Sequence, residues 1–332
     1  MTVYNQERDF LPVSVSGAFW TGSGAVIDLL SEHRDCTIIP DEFTLFSHGQ
    51  FFEEVFEVLL AKKSIEETYE LNIRRFKEFN QSELPIILSA LRYFCSKFGI
   101  FPRWLFARRI GMSKILGKKY LSTCQQLLIE LKSAMKSEEY FDLNQIRLII
   151  INILIESSKA LNHRKELPIA TVFDQMVAPP YVSSAWAALP NLRVICVDRD
   201  WRDQYVELRG KIARMVRVKK TLKVTIWGLQ SHSDDWRNPV SFFVRLRKQI
   251  DSIKTQQIQE ADKRLIWIDF EDIINDTENT VKVIFDFLGL DGSRWKSYTH
   301  FFPNKSIANI GKWRNSKYLK EIKLIEEQIG LK

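Results

Sequence analysis

One stretch near the start of the chain could hold an anion. Gly17-Ala18-Phe19-Trp20-Thr21-Gly22-Ser23-Gly24 lies between an apolar run, Leu11 to Phe19, and a segment, Ala25 to His33, whose apolar residues recur at helical spacing. The order is strand, glycine-rich turn, helix. Backbone N–H groups of such a turn converge above the helix N-terminus, where they and the helix dipole favour phosphate or sulfate. Glycine lets the backbone come close to the ion. Against the nucleoside-triphosphate pattern GxxxxGK[ST], Gly17 and Gly22 keep the spacing. Ser23 stands where the lysine belongs, and Gly24 where the Mg²⁺-binding hydroxyl belongs. The loop keeps an anion cradle and lacks the metal machinery of triphosphate hydrolysis. Small-residue turns also follow strands that bind nothing, so the loop alone decides little.

Two further stretches offer charge. The apolar strand Leu192 to Val197 ends in Asp198-Arg199-Asp200-Trp201-Arg202-Asp203. Ligand groups gather at the carboxyl ends of strands in open α/β sheets, and an arginine there can hold a phosphate with two parallel bonds. The plain alternative is a surface cluster of ion pairs. Pro40-Asp41-Glu42-Phe43 follows a second strand, Thr37 to Ile39, and supplies carboxylates that could take a proton. Near the other end, Lys305, Lys312 and Arg314 lie within Asn304-Lys305-Ser306 and Asn309-Ile310-Gly311-Lys312-Trp313-Arg314. Such residues are most often a solvated basic tail.

These places share one resemblance. Trp20-Thr21-Gly22-Ser23-Gly24 with the following Leu29-Leu30-Ser31-Glu32-His33 resembles the 5′-phosphosulfate loop and helix of sulfotransferases, [KR]-S-G-T-T followed by L-L-S-x-H. Arg199-Asp200-Trp201-Arg202-Asp203 resembles their 3′-phosphate motif R-D-P-R-D. Phe270-Glu271-Asp272-Ile273 and Phe287-Leu288-Gly289-Leu290 resemble Y-E-D-L and F-L-G-L, and Gly311-x-Trp313 resembles the loop that closes over the nucleotide. The likeness covers residues 11–46 and 168–315. It implies a P-loop-like α/β fold and 3′-phosphoadenosine 5′-phosphosulfate as co-substrate, with no metal. It implies a donor site of Trp20, Thr21, Gly22, Ser23, Gly24, Ala25, Arg199, Lys305, Gly311, Lys312 and Trp313. In the glycan-acting branch a glutamate follows the second strand, which makes Glu42 the expected base, with Asp41 as its neighbour, and a saccharide the expected acceptor. His33 matches a structural position; His48 and His232 are the other histidines that could serve. Two departures stand out. Trp20 occupies the place of the family's basic residue, and Glu207 the place of a serine eight residues after Arg199.

The elements that must position these groups follow from periodicity. Strands alternating with helices at both ends of the chain predict a doubly wound, mainly parallel sheet. Residues 50–165 read as a run of amphipathic helices inserted into one domain spanning 1–332. Arg74, Arg75, Arg103, Arg108, Arg109, Lys118 and Lys119 in that run could hold an acidic polymer or form a solvated helix face. Glu271 and Asp272 are expected to cap a helix or fix a loop.

Composition narrows the class. The 332 residues are 45% hydrophobic with a formal net charge of +7, so a folded core with anionic partners is expected. Cys36, Cys95, Cys124 and Cys196 show no CxxC pair, and with five histidines there is no zinc-ligand spacing. The N-terminus lacks a basic-then-apolar leader, and no apolar run nears the ~20 residues that cross a bilayer. The expectation is therefore a cytoplasmic protein without a transmembrane segment. A non-catalytic member of the fold and a P-loop kinase-like enzyme are the alternatives. Nucleic acid is not an expected partner, since the charge is spread and no base-stacking motif stands out. Oligomeric state is not encoded in any of these patterns.

Overall fold

The computed structural model describes residues 10–18, 21–61, 73, 112–136, 143–162, 168–218, 225–226, 229–230, 238–296 and 299–330. Trp20, His232 and the cluster Arg74, Arg75, Arg103, Arg108 and Arg109 lie outside them. Five strands form the main sheet: β1 (Leu11–Gly17), β2 (Cys36–Glu42), β3 (Ala170–Asp174), β4 (Arg193–Asp198) and β7 (Leu265–Asp269), in the order β2-β3-β1-β4-β7. Thr225–Ile226 (β5) and Leu229–Gln230 (β6) make a separate antiparallel pair. The parallel, helix-flanked sheet is the one that the alternating pattern predicts. β1 is its central strand, so the loop leaving β1 departs from the carboxyl edge, where such sheets bind their ligands.

The chain groups into two compact units, 1–14 with 33–193, and 15–32 with 194–332. In the first, β2 and β3 run parallel from Cys36↔Ala170 to Ile39↔Phe173. The register then shifts, so that Glu42 pairs with Asp174. The second strand is thus longer than Thr37 to Ile39, because pairing with β3 resumes at Glu42 past an irregularity at Pro40 and Asp41. The helices are α2 (Gln50–Ala61), α3 (Met112–Lys136), α4 (Leu143–Leu161) and α5 (Val182–Ala188). α3 bends at Gly117, whose backbone is non-helical. Lys118 and Lys119 are exposed on it, as a solvated helix face would be. A cluster of rings closes the end of β2. Phe43 meets Phe173 edge-on at 4.9 Å, and Phe46 lies 5.0 Å from Phe52. All four are at most 1% exposed; each such pair adds ~0.5–1.5 kcal/mol beyond its buried area.

The second unit holds α1 (Ser23–Ser31), α6 (Trp201–Val218), α7 (Pro239–Glu260), α8 (Phe270–Asn275), α9 (Thr277–Leu288), α10 (Pro303–Ser306) and α11 (Leu319–Ile329). The centre of β4, Val194 to Val197, is continuously apolar, as a strand buried from Val194 to Asp198 requires. Its neighbour β7 keeps register from Val194↔Leu265 to Asp198↔Asp269, which sets two carboxylates side by side at the carboxyl edge. Lys254 answers that repulsion: its Nζ donates to Asp198 Oδ2 at 2.9 Å and to Asp269 Oδ1 at 3.0 Å. Arg247 donates to both oxygens of Asp198, at 2.7 and 2.9 Å, and pairs with Asp251 at 2.5 Å. Burial alone would raise the Asp198 pKa, but the bonds and charge of Arg247 and Lys254 outweigh it and bring it down to about 2. Burial likewise pushes the Cys36 and Cys124 thiols up to about 12 and that of Cys196 higher still.

Removing one member of a buried ion pair leaves the other uncompensated, at about 3–5 kcal/mol. Arg247→Met is therefore expected to lower the unfolding free energy by about that much in urea titrations. Asp198 has a folded pKa below its ordinary 3.8. It therefore stabilises the fold above about pH 4, and that contribution is lost as pH falls toward about 2. In Asp198→Asn this part of the acid dependence should vanish.

Candidate active site

The loop after β1 and the end of β4 meet in the second unit. α1 begins at Gly22, whose φ is +96°. It has no side-chain cap and no acidic residue in its first turn, so no carboxylate of that turn answers the positive end of its dipole. The Thr21 side chain is 2% exposed, and its hydroxyl has no hydrogen-bond partner among the described residues. It folds over Gly17, where a Cβ would sit 1.9 Å from Thr21 Oγ1 and 3.1 Å from the Val197 carbonyl oxygen. Gly17 is required by this approach. A buried hydroxyl without a partner costs ~1–3 kcal/mol, a cost that an anion in the cradle would relieve.

Phe270 ties the loop to Arg199. A Cβ on Gly22 would come within 2.2 Å of the Phe270 ring, and the Arg199 guanidinium lies over that ring at 5.1 Å. Arg199 is 7% exposed. Its backbone N–H donates to Asp198 Oδ1 at 2.9 Å, and its Nη2 donates to the Asn309 carbonyl. Hence the Asp198 network holds the arginine's backbone while Phe270 and Asn309 orient its head. Glu271 Oε1 accepts the Asp200 N–H at 3.1 Å, the loop-fixing role expected of the acidic pair at 271–272. Burial raises the Glu271 pKa against the opposing pull of its backbone hydrogen bonds. Trp201 begins α6 and is 9% exposed.

The remaining charges of this motif grip the segment at 309–314. Asp203 accepts the N–H of Gly311 at 2.6 Å and of Trp313 at 2.9 Å. One turn later Glu207 accepts from Lys312 Nζ at 2.5 Å. Arg202 is held by Asp200 at 2.7 Å and stacks on Trp313 at 4.2 Å. The expected donor residues Gly311, Lys312 and Trp313 thus come together, with those two N–H groups and the ammonium turned to α6. Lys305 is exposed and packs on Phe302 at 4.1 Å. Ser23 and Ala25 lie in the first turn of α1, half-buried, and Gly24 beside them is exposed.

Glu42 is in the other unit, half-buried at the end of β2 beside Asp174. His33 is buried there, and its Nδ1 accepts the Asp35 N–H at 3.1 Å, a structural role as expected. The side chains of Asp41 and His48 lie outside the described residues. Among the described residues no three His, Cys, Asp or Glu are grouped to hold a metal ion.

The sulfotransferase family model matches residues 12–295. The chain belongs to the sulfotransferase family. No curated protein matches the sequence. Among solved structures, the sulfotransferase domain from the curacin biosynthetic pathway is 12% identical, with 97% of this chain and 98% of that one covered and a TM-score of 0.41. The sulfotransferase domain of the Synechococcus PCC 7002 olefin synthase is 13% identical, with 96% and 94% covered and a TM-score of 0.40. The sulfotransferase STF9 from Mycobacterium avium is 11% identical, with 99% and 79% covered and a TM-score of 0.42. These are likenesses of whole chains and say nothing about which residues of this sulfotransferase act.

Several residues that build the site leave little trace in the sequence. Glu32 is 5% exposed and takes three backbone N–H groups on one oxygen, from Thr299, His300 and Phe301, at 2.7, 2.6 and 2.8 Å. It anchors the segment that leads to Lys305. Arg247 did leave a signal: it is a cation inside the buried run Phe242, Phe243, Leu246 and Ile250 of α7.

Two substitutions separate cradle from fold. Thr21→Val keeps the shape and removes the unpartnered hydroxyl. It should leave thermal stability unchanged or raise it by up to ~1 kcal/mol, while weakening sulfate or nucleotide binding several-fold in calorimetry. Gly22→Ala must take a left-handed backbone, at ~1–2 kcal/mol, and must also displace Phe270. It should lose both stability and anion binding.

Proposed function

We propose that this enzyme transfers the sulfuryl group of 3′-phosphoadenosine 5′-phosphosulfate to a hydroxyl of a saccharide. The observation that carries the donor half is the uncapped start of α1, with the buried, unpartnered Thr21 hydroxyl beneath it, sharing Phe270 with the buried cation Arg199. These groups suit an anion bound without a metal. When bound, the donor supplies a sulfuryl group already activated by a phosphate leaving group. Thr21 and the backbone of the turn Gly22-Ser23-Gly24 would hold its 5′ end, with Ala25, whose N–H donates to the Gly22 carbonyl at 2.9 Å, closing the turn beneath it. Arg199 would hold the 3′-phosphate, with Lys305 nearby in sequence to the closing segment. Charge that develops on the bridging oxygen is best met by such fixed donors, which need no reorganisation during reaction.

Glu42 is the proposed base, taking the acceptor's hydroxyl proton as the oxygen attacks sulfur. Its support is its position, half-buried, at the carboxyl end of β2, next in sequence to Phe43. The saccharide acceptor is favoured by Pro40-Asp41-Glu42-Phe43, which resembles the glycan-acting branch. Lys312 is neutralised by Glu207 at 2.5 Å, which leaves Arg199 as the main cation of this donor site.

Calorimetry with 3′-phosphoadenosine 5′-phosphate tests the donor reading. Binding should be independent of Mg²⁺ and fall at least about tenfold in Arg199→Ala, as expected for loss of a charge-assisted phosphate contact. No binding by the wild-type enzyme would refute it. Glu42→Gln should bind the nucleotide as the wild type does and lose ~10²–10⁴-fold in turnover with saccharide acceptors. Unchanged turnover would remove Glu42 from the chemistry.

A further inference from the structure

The outer face of α11 takes no part in the site. The inner face is settled by packing: Ile322 and Ile325 are buried, and Glu321 accepts from the Tyr205 hydroxyl and from Arg209 at 2.8 and 3.0 Å. Leu319, Lys320, Lys323 and Leu324 are all exposed. At about 100° per residue these four fall within an arc of roughly 140°. Leu319 and Leu324 bound the arc at 38% and 49% exposure, with the two lysines between them. Glu327 falls in the middle of that arc, and the half-buried Glu326 lies about 20° beyond Leu319. Just before the helix, Arg314 and Lys317 are exposed too, resting against Trp313 and Tyr318 at 5.7 and 5.3 Å. None of these four cations has an ion-pair partner among the described residues.

Single exposed leucines are ordinary. Two of them on one helix face, interleaved with lysines that have no ion-pair partner among the described residues, form the pattern of a helix lying in a water–lipid boundary. We propose that α11 and the turn before it dock this enzyme on an anionic lipid surface. Arg314, Lys317, Lys320 and Lys323 would meet the headgroup charges. Leu319 and Leu324 would enter the boundary below, with the lysine stems lying along it. Charge complementarity selects the anionic surface. The leucines select a bilayer over a soluble polyanion, which has no apolar phase to receive them. Such docking is peripheral: no described helix is long and apolar enough to cross a membrane. It also does not depend on the donor or the acceptor proposed above.

The test is sedimentation of the full chain with phosphatidylcholine vesicles, with and without phosphatidylglycerol. The chain should sediment only with the anionic vesicles. Lys320→Glu with Lys323→Glu should weaken this at least about tenfold. Leu319→Gln with Leu324→Gln should weaken it about as much while leaving retention on a heparin column unchanged, and circular dichroism verifies that both variants stay folded. Failure to sediment with anionic vesicles overturns the proposal. So does a leucine variant that sediments like the wild type, which would assign the face to a soluble polyanion.

Discussion

A carboxylate buried at the end of the strand β4 organises much of the second unit. Asp198 sits where the parallel register also brings Asp269, and two carboxylates side by side at a sheet edge repel. Lys254 resolves this by bridging both, and Arg247 saturates Asp198 with two bonds. The remaining bond that Asp198 accepts is the Arg199 N–H. The helix α7 is thereby pinned to the sheet, and the backbone of the candidate donor-binding arginine is fixed by the same group. Burial of the network at 4% exposure of Asp198 and 8% of Arg247 makes it intolerant of losing either partner, since neither charge has water to fall back on.

The next residues spend their charge internally. Asp200 holds Arg202, Arg202 stacks on Trp313, Asp203 takes two N–H groups of the 309–314 segment, and Glu207 takes Lys312. A stretch rich in Arg and Asp could have been a solvated ion-pair cluster. Instead it clasps the C-terminal segment against α6. Glu32 does the same from the end of α1, through three N–H groups on one oxygen. The segment at 299–314 is therefore held by carboxylates at both of its ends, Glu32 at 299–301 and Asp203 with Glu207 at 311–313. This accounts for glutamate at position 207, where the family pattern has serine: its negative charge is used to hold Lys312.

Much of the architecture was legible beforehand. Strand, turn and helix at 11–33 followed from the switch between continuous apolar and helical periods, and β4 from an unbroken apolar run that only a fully buried strand tolerates. The extension of β2 to Glu42 was not legible. Pro40 and Asp41 are poor strand residues by propensity, and only the pairing with β3 through a register shift carries the strand past them. The helices over 121–136 and 143–161 were readable from their apolar period; the extension of the first back to Met112 was not. The break at Gly117 is a backbone event that periodicity does not report.

For the site, the sequence alone determined the inventory: a glycine turn without the lysine and Mg²⁺ hydroxyl of a triphosphate enzyme, an arginine at a strand end, and a basic C-terminal segment, in an order that matched sulfotransferases. Those are local facts, set by residue type and spacing. Tertiary structure decided which charges are spent and which groups lack partners. That Thr21 is buried without a hydrogen bond among the described residues, that Phe270 separates Gly22 from Arg199, and that Lys312 is neutralised by Glu207 all depend on contacts between residues far apart in the chain. Hydrogen bonds and ion pairs act over a few ångströms in space, and sequence spacing records such proximity only within a helix turn or along a strand.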